Sequence, residues 1–382
     1  MEPPDSTTDV SVVIPTYREA PNLRELVPLV SSVLDNAGLT GEIIVVDDNS
    51  NDGTNEVCAE FAEHFPLQLL SRKVERGLSS AVIHGMLRAK GNILLVMDAD
   101  LSHPPEKIPE LVNSLSDSDA DFAIGSRYVS GGAVDGNWGV FRWLNSRVST
   151  LLAWPLTSVK DPMAGFFAIR RERFESARRL DPVGYKIGLE LIVKCDCRHI
   201  REVPITFQDR RHGQSKLTLR EQVNYLRHLK RLYEFRLGVV ACPLQFLIVG
   251  CTGMVLDVVS FALLSLTTGF GVARALAIWM AMTWNFWLNR RLTFSCARTE
   301  GTLVQYVKFS LSCLVGALVN WSVSFAVFHH VEWFADSQLL SAFFGVVAGT
   351  VFNYVLSNGW VFRSPKQRAA TSTLRAATST LK

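Results

Sequence analysis

The sequence predicts an α/β domain, Rossmann-like with a mostly parallel sheet, followed by an all-α transmembrane domain of four helices in two related hairpins. Three observations carry the prediction. Short β-branched runs alternate with helical patterns through residue 215, carboxylates stand at the ends of those runs, and long apolar segments take over after about residue 240. The corresponding boundaries are a polar N-terminal segment (1–9), the α/β domain (10–215), an amphipathic interfacial helix with linker (216–240), the transmembrane domain (241–363) and a tail (364–382).

Val10 to Pro15 is a β-branched strand stopped by proline, and Thr16 to Glu19 form the loop into a helix carried by Leu23, Leu26, Val30 and Val33. Glu42 to Asp47 is the second strand. It runs into Asp47-Asp48-Asn49-Ser50-Asn51-Asp52-Gly53-Thr54, a loop of turn formers and helix caps. Leu67 to Ser71 is the third strand, and Arg76-Gly77-Leu78-Ser79-Ser80-Ala81 leads into a helix ending near Lys90-Gly91. The fourth strand is the centre of the pattern: the apolar run from Ile93 to Met97 describes burial on both faces, and Asp98-Ala99-Asp100 follows it directly. Pro104-Pro105 then opens the next helix.

Open α/β sheets bind ligands beyond the carboxyl ends of their strands, so Tyr17, Glu19, Asp47, Asp48, Asp98 and Asp100 are expected at one edge. Two carboxylates at i and i+2 can converge on a hard divalent cation, Mg²⁺ or Mn²⁺, which completes its shell with water and phosphate oxygens. The competing reading is a solvated Asp pair at a turn. The acids and the tyrosine of this edge suit a nucleotide: the ring can stack on a base, and the carboxylates accept bonds from base NH groups and ribose hydroxyls. Neither a Walker lysine motif nor Gly-x-Gly-x-x-Gly is present, so a metal must hold the diphosphate.

Composition narrows the classes further. A net charge of +3, with no stripe of Lys and Arg, speaks against a nucleic-acid polymer as partner. The 7 cysteines are odd in number and scattered, which fits a reducing compartment. Cys195-Asp196-Cys197 with His199 lacks the second pair a tetrahedral metal site needs. Met1 to Asp9 are polar and acidic, with no apolar core of a cleavable signal.

Two stretches read as interfacial helices. Trp138, Phe141, Leu144, Val148, Leu151 and Leu152 recur at helical spacing with Arg142 and Arg147 among them; Leu219, Val223, Leu226, Leu229 and Tyr233 form one face of a second helix, beside Arg220, Arg227, Lys230, Arg231 and Arg236. Either could instead face an ordinary core. Apolar runs near 244–266, 271–289, 306–328 and 339–360 each approach the ~20 residues that cross a bilayer. Asp257 and Arg274 are the charges inside them. The second pair of runs repeats the first, with Asn285 to Phe294 answering Asn353 to Phe362, Gly253 answering Gly316 and Asp257 answering Asn320. Asp257 and Asn320 are read as functional or as pairing between helices. Basic residues cluster before the first run, between the second and third, and after the fourth, so the positive-inside rule puts the α/β domain and both termini in the cytosol. The small and polar packing residues also leave room for a homo-oligomer through the membrane domain. Past Pro365 the tail repeats Arg-Ala-Ala-Thr-Ser-Thr-Leu twice and is expected to be disordered.

Four ordered motifs, Val13 to Glu19, Val46 to Thr54, Arg76 to Ala81 and Asp98 to Glu106, resemble the inverting family-2 glycosyltransferases with the GT-A fold. Through Gly125 to Tyr128, Asp161 to Phe167, Gly184 to Glu190 and Arg210 to Leu217, the chain is similar to polyprenol (dolichol) phosphate mannose synthases in particular. Residues 240–363 resemble GtrA-like membrane domains, chiefly through the pattern at Asn285 to Phe294.

The resemblance implies roles. Pro15, Tyr17, Glu19, Asp47, Asp48, Arg76 and Asp98 belong to the nucleotide site, and Asp98 and Asp100 to the metal. Ser102 stands where relatives often have a glutamine that also meets the metal; it touches the ion, reaches it through water, or only caps the helix at Pro104. Arg127, Arg142, Arg147, Arg210, Arg211, Ser215 and Lys216 supply the lipid phosphate or sugar site, with Arg127, Arg210 and Lys216 joining the two aspartates in catalysis. Glu190 orients a sugar hydroxyl or a basic residue, or is a salt-bridge partner. The implied activity is inverting transfer of mannose from GDP-mannose to polyprenyl or dolichyl phosphate at the cytosolic membrane face. Transfer of glucose or an aminosugar is the alternative of the same class, and a translocator or scaffold for polyprenyl-linked sugars that of another.

Overall fold

The structure, a computed structural model, describes residues 8–116, 118–134, 140–177, 179–181, 183–208, 219–295, 300–330 and 338–362, of which 140–143, 219, 330, 338–340 and 342 by backbone alone. The chain comprises two compact units, Met1–Arg236 and Leu237–Lys382. The first contains β1 (Val10–Thr16), α1 (Ala20–Asn36), β2 (Gly41–Asp47), α2 (Thr54–Ala62), β3 (Leu67–Ser71), α3 (Leu78–Met86), β4 (Ile93–Val96), α4 (Ile108–Ser116), β5 (Phe122–Ser126), β6 (Ala133–Val134), α5 (Val140–Ala153), β7 (Phe167–Arg170), α6 (Arg171–Glu175), α7 (Ile187–Lys194), β8 (Ile200–Pro204), β9 (Thr206–Phe207) and α8 (Leu219–Leu237).

The main sheet has 7 strands in the order β3-β2-β1-β4-β7-β5-β8. Its pairings are parallel except for β7, which runs antiparallel between β4 and β5. The expected mostly parallel α/β sheet is therefore present, with one reversed strand. Alternation along β1 sends Val12 and Ile14 to a core shared with Leu23, Leu26 and Val30 of α1, and Val13 to the opposite core, with Val82 and Met86 of α3. Both faces are covered, which is why β4 reads as an unbroken apolar run. Because β7 is reversed, its first residues lie at the edge where β4 and β5 end. The segment Asp161 to Phe166 is thereby brought to the acidic turn after β4.

A third cluster joins Ala153 and Leu156, at and just beyond the end of α5, to Leu189 and Val193 of α7 and Tyr225, Leu229 and Leu232 of α8. The Tyr225 hydroxyl donates to Ser149 O at 2.6 Å and that of Tyr233 to Leu152 O at 2.6 Å. This corrects the reading of α8 as a helix with a single lipid-directed face. Val223 and Leu226 are exposed, whereas Leu229 lies one stripe further round and is buried against α7. In α5, Leu144, Val148, Leu151 and Leu152 are exposed, as is Trp154 just after it. Trp138 lies outside the described residues and Phe141 is described by its backbone alone.

The second unit holds α9 (Ala241–Leu264), α10 (Phe270–Leu288), α11 (Thr302–His330) and α12 (Gln338–Leu356). Among the described residues, Arg220–Leu264 and Thr302–His329 are the helical stretches long and apolar enough to cross a membrane by length and composition. The two hairpins repeat one another down to single residues. Asn285 of α10 occupies the space that a Cβ on Gly253 would need, and Asn353 of α12 does the same at Gly316, so small residues let each pair of helices close together. Both second helices end in a π-helical turn, Asn289–Thr293 and Ser357–Val361. The phenylalanines after those turns, Phe294 and Phe362, stack at 4.7 Å. Asp257 pairs with Arg274 at 2.8 Å, and at the repeat position Asn320 Oδ1 accepts from Ser324 at 3.3 Å.

Candidate active site

The strands β1, β2, β4 and β5 all deliver their next residues to one edge. On its β1–β2–β3 flank, Asp47 accepts the Ser50 amide at 2.8 Å, the Ser50 hydroxyl at 2.6 Å and the Thr16 hydroxyl at 3.3 Å. Both its oxygens accept bonds there, so Asp47, expected to contact nucleotide, also shapes that loop wall. Asp52 shapes the same loop. Burial opposes its ionisation, but bonds from Thr54 and the Ala20 amide prevail and hold its carboxyl below the usual value.

Asp48 is nearly buried, and its partner was missing from the sequence reading. The β2–β3 register sets Asp47 opposite Ser71, which brings Arg72 beside Asp48. Arg72 donates from Nε to Asp48 Oδ1 at 2.7 Å and from Nη2 to the same oxygen, while the Gly77 amide donates to Oδ2 at 2.8 Å. Arg72 also reaches Ser80 Oγ and Gly77 O, tying the Arg76 to Ala81 segment to the acid. Tyr17 is half-buried, with the Arg18 and Arg76 guanidinium carbons 5.3 and 5.2 Å from its ring centroid. A base stacking on Tyr17 would share the ring with those cations. Glu19 accepts from Asn22 Nδ2 at 2.5 Å, and Pro15 is buried in β1 opposite Val46.

In the centre, the Asp98 amide donates to His103 Nδ1 at 3.0 Å. A neutral imidazole accepting there carries its proton on Nε2, which lies 4.0 Å from Asp98 Oδ2. Burial pushes His103 below its ordinary value, against the pull of Asp98 and Asp100, and keeps it in that neutral form. The ring stacks on Phe166 at 5.3 Å. Asp100 is buried, and its Oδ1 accepts both the Ser102 hydroxyl at 2.5 Å and the Ser102 amide at 3.2 Å. Leu101 between them has φ 61°, a left-handed conformation that costs a non-glycine residue roughly 1–2 kcal/mol. Of the roles open to Ser102, the structure displays a fourth: it orients Asp100.

On the β7–β5 flank, Arg127 donates to Asp161 from Nε at 2.7 Å, from Nη2 at 2.8 Å and from its amide at 3.1 Å. Asp161 is wholly buried. Gly165, in the same segment, lies so close that an added Cβ would stand 3.3 Å from Asp98 Oδ2. Lys186, at the start of α7, donates to Met163 O at 2.8 Å and lies 4.5 Å from the Tyr185 ring centroid. Burial, reinforced by Arg127, lowers its ammonium to about 8, with Asp161 and Asp98 pulling the other way. Asp161 and Lys186 stood in recognised motifs without roles. Arg147 is exposed, its guanidinium 4.7 Å from the Tyr128 ring centroid.

Glu190, expected at the sugar or a basic residue, is fully buried. It pairs with Lys194 Nζ at 2.7 Å and His228 Nε2 at 3.1 Å and accepts the Asp181 amide at 2.7 Å. The salt-bridge reading of Glu190 is the one the structure supports. Arg210, Arg211, Ser215 and Lys216 lie outside the described residues, and Arg142 is described by its backbone alone. The edge as a whole offers acceptors on one side, two carboxylates in the middle and cations on the other.

Residues 11–177 match the family described as glycosyl transferase family 2, and residues 245–362 match the GtrA/DPMS transmembrane domain. A dolichol-phosphate mannosyltransferase of Pyrococcus furiosus is 38% identical over 356 residues, which cover 91% of this chain and 97% of that one. Dolichol-phosphate mannosyltransferases of Mycosarcoma maydis and Saccharomyces cerevisiae are 41% and 40% identical over 252 and 239 residues, covering 64% and 60% of this chain and 85% and 89% of theirs. The chain is a glycosyltransferase with a membrane domain in the same polypeptide, and it belongs to the dolichol-phosphate mannosyltransferase family.

Proposed function

We propose that the chain transfers mannose from GDP-mannose, with inversion, to the phosphate of a dolichol or related polyprenol at the cytosolic face of a membrane. The observation that carries this reading is the likeness to the Pyrococcus furiosus enzyme, which extends over both units rather than over the catalytic part alone. The edge chemistry supports it. Acceptor groups at Asp48, Tyr17 and Glu19 suit a nucleoside, and cations at Arg127 and Lys186 suit an anion.

The donor set at the end of β4 fits a divalent cation, Mg²⁺ or Mn²⁺: Asp98 and Asp100 are hard oxygen ligands, Asp100 held in place by Ser102 and Asp98 by the backbone bond to His103. Such an ion supplies charge neutralisation for the departing diphosphate. The chain's own residues do the rest. The acceptor, a phosphate monoester with a second pKa near ~6, is already ionised at neutral pH, so no strong general base is required. What it requires is a cation to bind it beside a negatively charged donor, and the β7–β5 flank supplies that. Burial of Asp161 fixes Arg127 before the acceptor arrives.

In this reading α9 to α12 each cross the bilayer. The 19 residues of α10 and of α12 rise about 28 Å, close to the hydrocarbon thickness. Both termini then lie on the cytosolic side, together with the catalytic unit. The test incubates purified protein, Mg²⁺ or Mn²⁺ and dolichyl phosphate with labelled GDP-mannose, UDP-glucose and a UDP-aminosugar. Transfer from GDP-mannose alone is expected; transfer only from a uridine donor sinks the mannose assignment.

A further inference from the structure

Arg127 is the cation the motifs point to, yet its guanidinium fork is closed on Asp161 by two side-chain bonds. Lys186 is different. An ammonium has three donors, and among the described residues Met163 O is the one hydrogen-bond acceptor it reaches, at 2.8 Å. A half-buried ammonium with donors left over is costly to keep unless something anionic meets it. Its surroundings say where that anion would sit. Met163 belongs to the same segment as Asp161 and Gly165, the segment that touches Asp98 Oδ2, and Arg127, Asp161 and Asp98 are the charges it senses.

The sheet order separates two flanks: the nucleoside residues follow β1, β2 and β3 on one side of β4, and the Asp161 segment and Arg127 adjoin β7 and β5 on the other. A donor running from Tyr17 and Asp48 to Asp98 and Asp100 has its diphosphate neutralised at β4, and its sugar carbon then faces the β7–β5 flank. We propose that Lys186 binds the phosphate of the lipid acceptor and holds the attacking oxygen next to the sugar, with Arg127 and Asp161 as its preformed frame. This rests on the transferase reading above. The bond that forms is between that phosphate oxygen and the sugar's anomeric carbon; the bond that breaks is from this carbon to the leaving diphosphate, which departs with the electron pair.

The experiment uses the full chain in lipid vesicles and compares wild type with Lys186→Met and Lys186→Arg. Acceptor KM, kcat, GDP-mannose affinity without acceptor, and melting temperature are measured. Lys186→Met is expected to lower kcat/KM for dolichyl phosphate by about 10²–10³-fold, to leave GDP-mannose affinity within about twofold, and to melt no lower than wild type, because a half-buried thioether is less costly to desolvate than an ammonium. Lys186→Arg should recover part of the loss. Equal weakening of GDP-mannose binding would put Lys186 on the donor and overturn the proposal, as would an unchanged acceptor kcat/KM. A lower melting temperature in both variants, with no recovery by arginine, would make Lys186 a structural residue. Wild-type protein that fails to use GDP-mannose overturns the transferase reading instead, and that outcome is seen before any variant is compared.

Discussion

The two flanks of the Asp98-Asp100 turn use charge in opposite senses. On the β1–β2–β3 side an acid, Asp48, is held by a buried arginine, Arg72; on the β7–β5 side a cation, Arg127, is held by a buried acid, Asp161. In the proposed reading the two pairs suit different guests: a carboxylate suits the NH and OH donors of a nucleoside, and a cation suits the acceptors of a phosphate. In both pairs the partner behind the working group is the more deeply buried, so the geometry is set by the fold before either ligand arrives. Between them the two aspartates belong to neither sense, and removing one should disable both flanks at once. Asp100→Ala is expected to cut transfer by 10³-fold or more, on the order of the several kcal/mol a bound metal contributes. Radiolabel transfer at saturating substrates checks it, and unchanged turnover would remove the metal reading.

The pairs themselves should fail differently. Removing one member of a buried ion pair typically costs ~3–5 kcal/mol, so Arg72→Met and Asp161→Asn should both lower the denaturation midpoint. Their kinetic signatures should separate. Arg72→Met, which frees Asp48 and the Gly77 segment, should weaken GDP-mannose binding with acceptor KM little changed. Asp161→Asn, which frees Arg127, should raise acceptor KM with GDP-mannose affinity little changed. Titration calorimetry with the donor and acceptor saturation curves supply the comparison; identical signatures would show that the flanks are not separate.

A smaller effect comes from the pair behind the acceptor flank. Burial raises Glu190, but His228, Lys194 and the Asp181 amide outweigh it and hold it below its ordinary 4.5. A carboxyl with a depressed folded value stabilises the protein above the unfolded value and loses that contribution as the pH falls through the folded one. Wild type should therefore lose melting temperature below about pH 4.5, and Glu190→Gln should be less stable at pH 7 with a flatter profile there. Parallel profiles would show that Glu190 is not ionised in the fold.

These contrasts were only half visible in the chain. Ile93 to Met97 followed by two aspartates announces a buried strand and a site, because both the burial and the acids are local. Arg72 carries no local signal: it becomes a partner of Asp48 only through a strand register that pairs Asp47 with Ser71. Lys186 stands 23 residues from the carbonyl it meets, and nothing in Tyr-Lys-Ile tells which way it turns. Glu190 sits among Leu189, Leu191 and Ile192, an apolar setting that agrees with its burial but does not name His228 on α8 as a partner. The α8 face misled for a geometric reason, since Val223 and Leu226 lie on one stripe and Leu229 on the next, and only packing against α7 decides between them. The repeat within the second unit was readable at Asn285 and Asn353, which recur in matching strings and each face a glycine on the neighbouring helix.

Ser102 offers the finest probe of the central turn. Its hydroxyl and amide both donate to Asp100 Oδ1, and the backbone between them accepts a left-handed leucine to make that geometry. Ser102→Ala removes the hydroxyl bond and keeps the amide bond. A hydrogen bond to a charged acceptor contributes about 1.5–3 kcal/mol, much of which a water can restore. The expected result is therefore a loss of about 5–10-fold in kcat/KM, with a matching rise in the metal concentration needed for half-maximal rate. If the half-maximal metal concentration rises instead as far as in Asp100→Ala, Ser102 is itself a ligand. If it does not move at all, the oxygen it holds on Asp100 is not the one that meets the metal, and the ligating atom is Oδ2.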